Sequence, residues 1–84
     1  MTFSVVWTIA ARDMLARIWM AAPDRNAVTV ASHEVEERLK RNPLHEGESR
    51  ENDHRVTFEA PLRIVFRVMA EQNAVYVISI GYYS

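Results

Sequence analysis

The chain has no cysteine, which excludes disulfides and thiolate metal sites and fits a reducing compartment. Only 2 glycines and 3 prolines occur in 84 residues, too few for a linker or a low-complexity tract, and no internal repeat is visible. No apolar run approaches the roughly 20 residues that a membrane span requires. The opening Met1-Thr2-Phe3-Ser4 lacks the basic stretch and apolar run of a secretory signal. A cytoplasmic protein without a membrane partner is expected. An excess of one charge is missing as well: 10 Lys and Arg against 11 Asp and Glu leave a net charge of -1. Any phosphate binding must therefore come from local clustering of arginine. The sequence has no glycine-rich phosphate loop and no nucleophile elbow. His33, His45 and His54 are separated without metal-ligand spacing, so neither a metal nor another cofactor is expected.

What is present is a hydrophobic fraction of 49%, which argues against disorder. The length suits one small domain, residues 1–84, with no room for a second. Phe3 to Trp7 is aromatic and β-branched and reads as a first strand, with Phe3, Val5 and Trp7 on one face. Thr8 offers a helix N-cap, and Ala11, Leu15, Ile18, Trp19 and Ala22 then recur at helical spacing up to Pro23. Asp24 is a second N-cap, and Val28, Ala31, Val35 and Leu39 mark a second amphipathic helix ending near Asn42, ahead of Pro43. On that helix Glu34 and Arg38, Glu36 and Lys40, and Glu37 and Arg41 are each four apart with the acid first, the spacing of ion pairs on a solvated face. Leu44 to Asp53 is polar and reads as a loop.

The remainder, His54 to Tyr83, holds three β-type runs, HRVTFEA, PLRIVFRVM and NAVYVISIGYY. Val56 and Phe58 alternate with Arg55, Thr57 and Glu59; Ile64, Phe66 and Val68 alternate with Arg63, Val65 and Arg67. Pairing through a turn at Ala60-Pro61-Leu62 is expected to put Val56 and Phe58 in the core and Arg55, Arg63 and Arg67 together on the outer face. By the same alternation His54 points towards the helices. The order strand, two helices, three-stranded antiparallel meander (β-α-α-β-β-β) is an α+β arrangement, in which the place of the first strand is left open.

PLRIVFRV followed by VYVISIGYY resembles the C-terminal sheet of the RelE/ParE toxin superfamily, the toxin components of type II toxin-antitoxin systems. The resemblance implies a RelE-like mRNA endoribonuclease, working by attack of a ribose 2′-hydroxyl on the adjacent phosphate, with the ribosome as a further partner. It also implies a cognate antitoxin, whose position the helical hairpin helps define. Arg63 lies where the mRNA-cleaving members carry a functional arginine just after the turn. Arg55 lies where they carry a lysine, and Thr57 stands in place of a second one. The expected catalytic set is Arg63, Arg55 and Tyr83, with Arg67, Thr57, Tyr82 and His54 binding RNA or phosphate. Arginine suits phosphate because its planar fork binds oxygens in pairs and stays charged. Tyr83 shares a strand face with Ser79 and offers a ring for base stacking.

Where the ribonuclease branch has two basic residues after Ile-Ser-Val-Gly, this chain has Tyr82 and Tyr83 after Ile78-Ser79-Ile80-Gly81. Two further readings therefore stand beside the first. One is a ParE-like inhibitor of DNA gyrase with no catalysis of its own; the other is a toxin-fold module that only binds an antitoxin.

Overall fold

The computed structural model describes residues 2–49 and 53–83. Strand β1 (Ser4–Trp7) leads into helices α1 (Ile9–Ala21) and α2 (Arg25–Arg41). A short 3-10 turn (Pro43–His45) and a two-residue strand β2 (Glu48–Ser49) precede β3 (His54–Glu59), β4 (Leu62–Met69) and β5 (Ala74–Tyr82). The five strands form one sheet in the order β1-β5-β4-β3-β2. The expected meander is β3-β4-β5, all antiparallel. The first strand, left unplaced by the sequence, lies along β5 in parallel. Strand β2 falls inside the segment read as a loop, whose residues 50–52 lie outside the described ones.

Both helices start where a side chain satisfies a free backbone N–H. Thr8 Oγ1 accepts from the Ala11 amide at 3.1 Å and donates to the Val77 carbonyl at 2.8 Å, so the cap also ties the start of α1 to β5. Asp24 Oδ1 accepts from the Ala27 amide at 3.1 Å. The α2 stripe Val28, Ala31, Val35 and Leu39 is wholly buried against Leu62, Ile64, Phe66, Val75, Val77 and Ile80 of the sheet. From α1 only Ala11 is fully buried, while Met14, Leu15, Ile18 and Ala22 pack at the margin. Trp19, expected in the stripe, stays 41% exposed; its indole donates to Thr29 Oγ1, and the Arg25 guanidinium lies 4.7 Å from the ring centroid.

One face of the sheet is covered by the helices and the other is open. Strand register decides which side chains reach each. Glu59 pairs with Leu62, so the turn has two residues, Ala60 and Pro61, and Leu62 is already in the ladder. A slip of one residue exchanges the two faces of a strand, and the expectation for β3 is corrected accordingly. Arg55, Thr57 and Glu59 stand opposite Phe66, Ile64 and Leu62 on the helix side; His54, Val56 and Phe58 stand opposite Arg67, Val65 and Arg63 on the open side. Thr57 is 4% exposed and Phe58 52%. The faces of β4 are as expected.

Two of the polar side chains turned inwards on β3, Thr57 and Glu59, are satisfied from α2. Arg38 reaches Glu46 at 2.7 Å, Glu59 at 2.6 Å, Thr57 Oγ1 at 2.8 Å and the Phe58 carbonyl at 3.3 Å. It therefore joins helix, loop and sheet rather than pairing with Glu34 on a solvated face. Burial, the largest single effect on this guanidinium, works to lower its pKa, but the hydrogen bonds and charges of Glu46 and Glu59 together hold it above the ordinary value. Of the three spaced pairs on α2, Lys40 with Glu36 forms, at 3.5 Å, and Lys40 also meets Glu37 at 3.4 Å.

Candidate functional site

Arg63 occupies the second position of β4, between Phe58 on β3 and Gly81 on β5. Its guanidinium lies over the glycine: a Cβ at Gly81 would stand 3.3 Å from both Nε and Nη2. Gly81 thus leaves open the space that the arginine head fills. Tyr83 follows two residues on. Its amide donates to the Pro61 carbonyl at 2.8 Å, and its ring meets Phe58 edge to face with centroids 5.4 Å apart. The aromatic pair forms a wall beside the arginine. Phe58 and Tyr83 are 52% and 38% exposed, so their rings also face solvent.

Four residues further along β4, Arg67 stands between His54 on β3 and Tyr76 on β5. Between the two arginines the floor is Val56, Val65 and Ser79. A register shift falls between Val65 and Phe66, where β5 accommodates one extra residue, Ile78. That bulge changes which β5 side chains face outwards, bringing Ser79, Gly81 and Tyr83 onto the open side. Arg63 and Arg67 are both exposed, and among the described residues neither donates to a protein acceptor. Two cations therefore stand over an uncharged floor with their hydrogen-bonding capacity unspent.

The remaining expected site residues lie elsewhere. Arg55, on the helix side, holds the segment before β3: Nε donates to the Glu46 carbonyl at 3.0 Å and Nη1 to Ser49 Oγ at 3.0 Å. Thr57 is buried under Arg38. Tyr82 pairs with Leu62 and turns to the helices, where it lines a groove of about 270 Å³ with Arg17, Ile18 and Pro23. His54 moves the other way: expected to point inwards, it stands on the open face opposite Arg67. Three residues of the open face were missed from the sequence: Phe58, assigned to the core, and Gly81 and Tyr76, given no role. The signal for Gly81 was there, since a glycine in a strand marks a close approach by another group.

Elsewhere, a groove of about 570 Å³ runs between α1 and α2, lined by Trp7, Leu15, Trp19, Met20 and Val28 together with Arg12, His33 and Glu36. Glu36 is fixed there by the Trp7 indole at 2.7 Å. Among the described residues no helix is long and apolar enough to cross a membrane.

No protein-family model and no curated protein sequence matches the chain. Solved structures do match it. A chain of the toxin-antitoxin complex RelBE2 from Mycobacterium tuberculosis is 18% identical, with a TM-score of 0.76, over 96% of this chain and 91% of that one. A chain of the chromosomal ParDE toxin-antitoxin system of P. aeruginosa is 17% identical, with a TM-score of 0.68, over 98% of this chain and 97% of that one. A mutant of the E. coli toxin RelE in the free state is 16% identical, with a TM-score of 0.72, over 98% and 84% of the two chains. At these identities the likeness is one of fold, and the chain has the α+β fold of the RelE/ParE toxin superfamily.

Proposed function

We propose that the protein is the toxin of a toxin-antitoxin pair and acts as an endoribonuclease on mRNA, with the open sheet face as its active surface. The observation that carries this reading is the Arg63 guanidinium, laid over Gly81 beside the Phe58–Tyr83 wall with no protein acceptor among the described residues. An anion placed there meets a fixed fork of donors, and a base beside it meets aromatic rings. For 2′-hydroxyl attack on a phosphate, Arg63 would stabilise the charge developing on the phosphoryl oxygens. Tyr83, whose ring stands against Phe58 beside Arg63, offers a hydroxyl for proton transfer on this face. Arg55 and Thr57 support the site from the opposite face by holding the loop and β3.

The antitoxin is the second partner. Two of the structural neighbours are toxin-antitoxin systems, and the apolar groove between α1 and α2 offers a place for an amphipathic segment. An alternative reading, inhibition of DNA gyrase, is favoured by one feature: neither residue after Gly81 is basic, and Tyr82 turns away from the open face.

Purified protein incubated with programmed ribosomes, and separately with free RNA, tests the enzyme directly. Cleavage by the wild type and its loss in Arg63→Ala are expected. A gyrase supercoiling assay on the same preparation addresses the alternative, and inhibition of supercoiling without RNA cleavage would replace the first reading with the second.

A further inference from the structure

The open face repeats one unit. At one end Arg63, with no partner among the described residues, stands between a ring on β3, Phe58, and the β5 position of Gly81, with Tyr83 closing the wall. At the other end Arg67, also with no partner among the described residues, stands between a ring on β3, His54, and a ring on β5, Tyr76. Each unit offers what one nucleotide presents, a cation for a phosphate and a flat surface for a base. The two arginines are four residues apart on one strand, so their Cα atoms are separated by about 13 Å at about 3.3 Å per residue. A stacked single strand advances about 3.4 Å per nucleotide, so that distance corresponds to about four nucleotides, and to fewer in an extended strand.

We infer that Arg67, with His54 and Tyr76, forms a second nucleotide-binding position, so that the face is a track for a short single strand lying along β4 and anchored at both arginines. The inference rests on the reading of this face as RNA-binding and adds its length and second anchor. A single strand is favoured over an acidic polypeptide because both cations stand beside rings. Between them the floor carries Val56, Val65 and Ser79 rather than further cations that would match a run of carboxylates. Of the carboxylates near this face, Asp53 and Glu71 line a pocket with Arg67, and Glu48 is on the edge strand opposite Val56. Duplex is disfavoured because its bases are stacked on one another and cannot lie on protein rings.

The test uses the full chain and oligodeoxythymidylates in a length series from the dinucleotide upwards. Without a 2′-hydroxyl these probes report binding where no cleavage can occur. Affinity is expected to rise with length until both positions are filled and then to level off. Arg67→Ala should weaken the longer probes about tenfold, weaken the dinucleotide much less because the Arg63 position alone can hold it, and lower the dependence of the longer probes on salt by about one phosphate contact. Arg67→Lys should keep the salt dependence. Equal binding at all lengths, absence of binding, or an Arg67→Ala protein that binds the longer probes as the wild type does would each overturn the second position. So would an acidic peptide that binds in an Arg67-dependent way while the oligonucleotides do not. The enzyme reading is scored separately on RNA: cleavage without a length effect sinks only the track, and a length effect without cleavage sinks only the nuclease.

Discussion

Replacing Arg38 with methionine keeps the apolar stem of the side chain and removes the head that joins α2 to the loop and to β3. Four contacts are lost, to Glu46, Glu59, Thr57 Oγ1 and the Phe58 carbonyl. They do not weigh equally. The side chains of Glu46 and Glu59 are 21% and 34% exposed, so water replaces much of what they lose, and each pair contributes about 0.5–1 kcal/mol. Thr57 is 4% exposed and its hydroxyl would be left dry, at a cost of about 1–3 kcal/mol. The sum is about 2–5 kcal/mol, or a fall in Tm of roughly 8–40 °C for a domain of this size. Thermal and urea unfolding followed by circular dichroism measure it. The guanidinium's raised pKa means that its contribution is complete below its ordinary value and is lost only as pH rises through a still higher one. The cost of Arg38→Met should therefore not fade on the alkaline side at any pH where the rest of the chain stays folded. A loss below about 1 kcal/mol would refute the claim that Arg38 organises the inward polar side of β3.

Gly81→Ala places a methyl group 3.3 Å from the Arg63 guanidinium; RNA cleavage should fall at least about tenfold, equivalent to about 1.4 kcal/mol of lost transition-state stabilisation, while the Tm changes little. Gly47→Ala should destabilise by about 2 kcal/mol or more in urea titration, because its φ is +68 and a Cβ would run into the Val56 carbonyl. Hydrogen bonding and charge from Glu37, then the charge of Glu36, raise the pKa of Lys40 above 10.5. The stability this adds is therefore present below that value and lost as pH rises through the raised one. The difference in unfolding free energy between wild type and Lys40→Gln should stay constant up to that range and vanish above it. Phe58→Ala should weaken binding of a deoxyoligonucleotide with less effect on Tm than Phe66→Ala, since Phe58 is 52% exposed and Phe66 is fully buried.

The helical half of this fold is legible in the sequence because its signals are local. Thr8 and Asp24 cap as their residue types dictate, and the stripe from Val28 to Leu39 is the core face of α2. The sheet is less legible because the facing of a strand depends on pairing. On β3, Val56 and Phe58 look like core residues until the two-residue turn is known, and Thr57 looks exposed until Arg38 is seen to reach it across 19 residues of sequence. The same slip put Arg55 on the wrong face and His54 off the right one. The common face of Arg63 and Arg67 was legible because β4 carries its own alternation, and that of Tyr83 because it follows Gly81 with the parity of Ser79. The bulge at Ile78 gives no sequence signal, since Val77, Ile78 and Ile80 are all apolar.

The most direct test of the account is the mapping of transcript ends in growing bacteria after brief induction of the wild type, alongside Arg63→Ala expressed to the same level and shown to be folded. New position-specific ends with the wild type, and none with Arg63→Ala, are the predicted result. Unchanged transcripts with the wild type, or the same new ends with both proteins, would contradict the assignment of the open sheet face as an RNA-cleaving surface centred on Arg63.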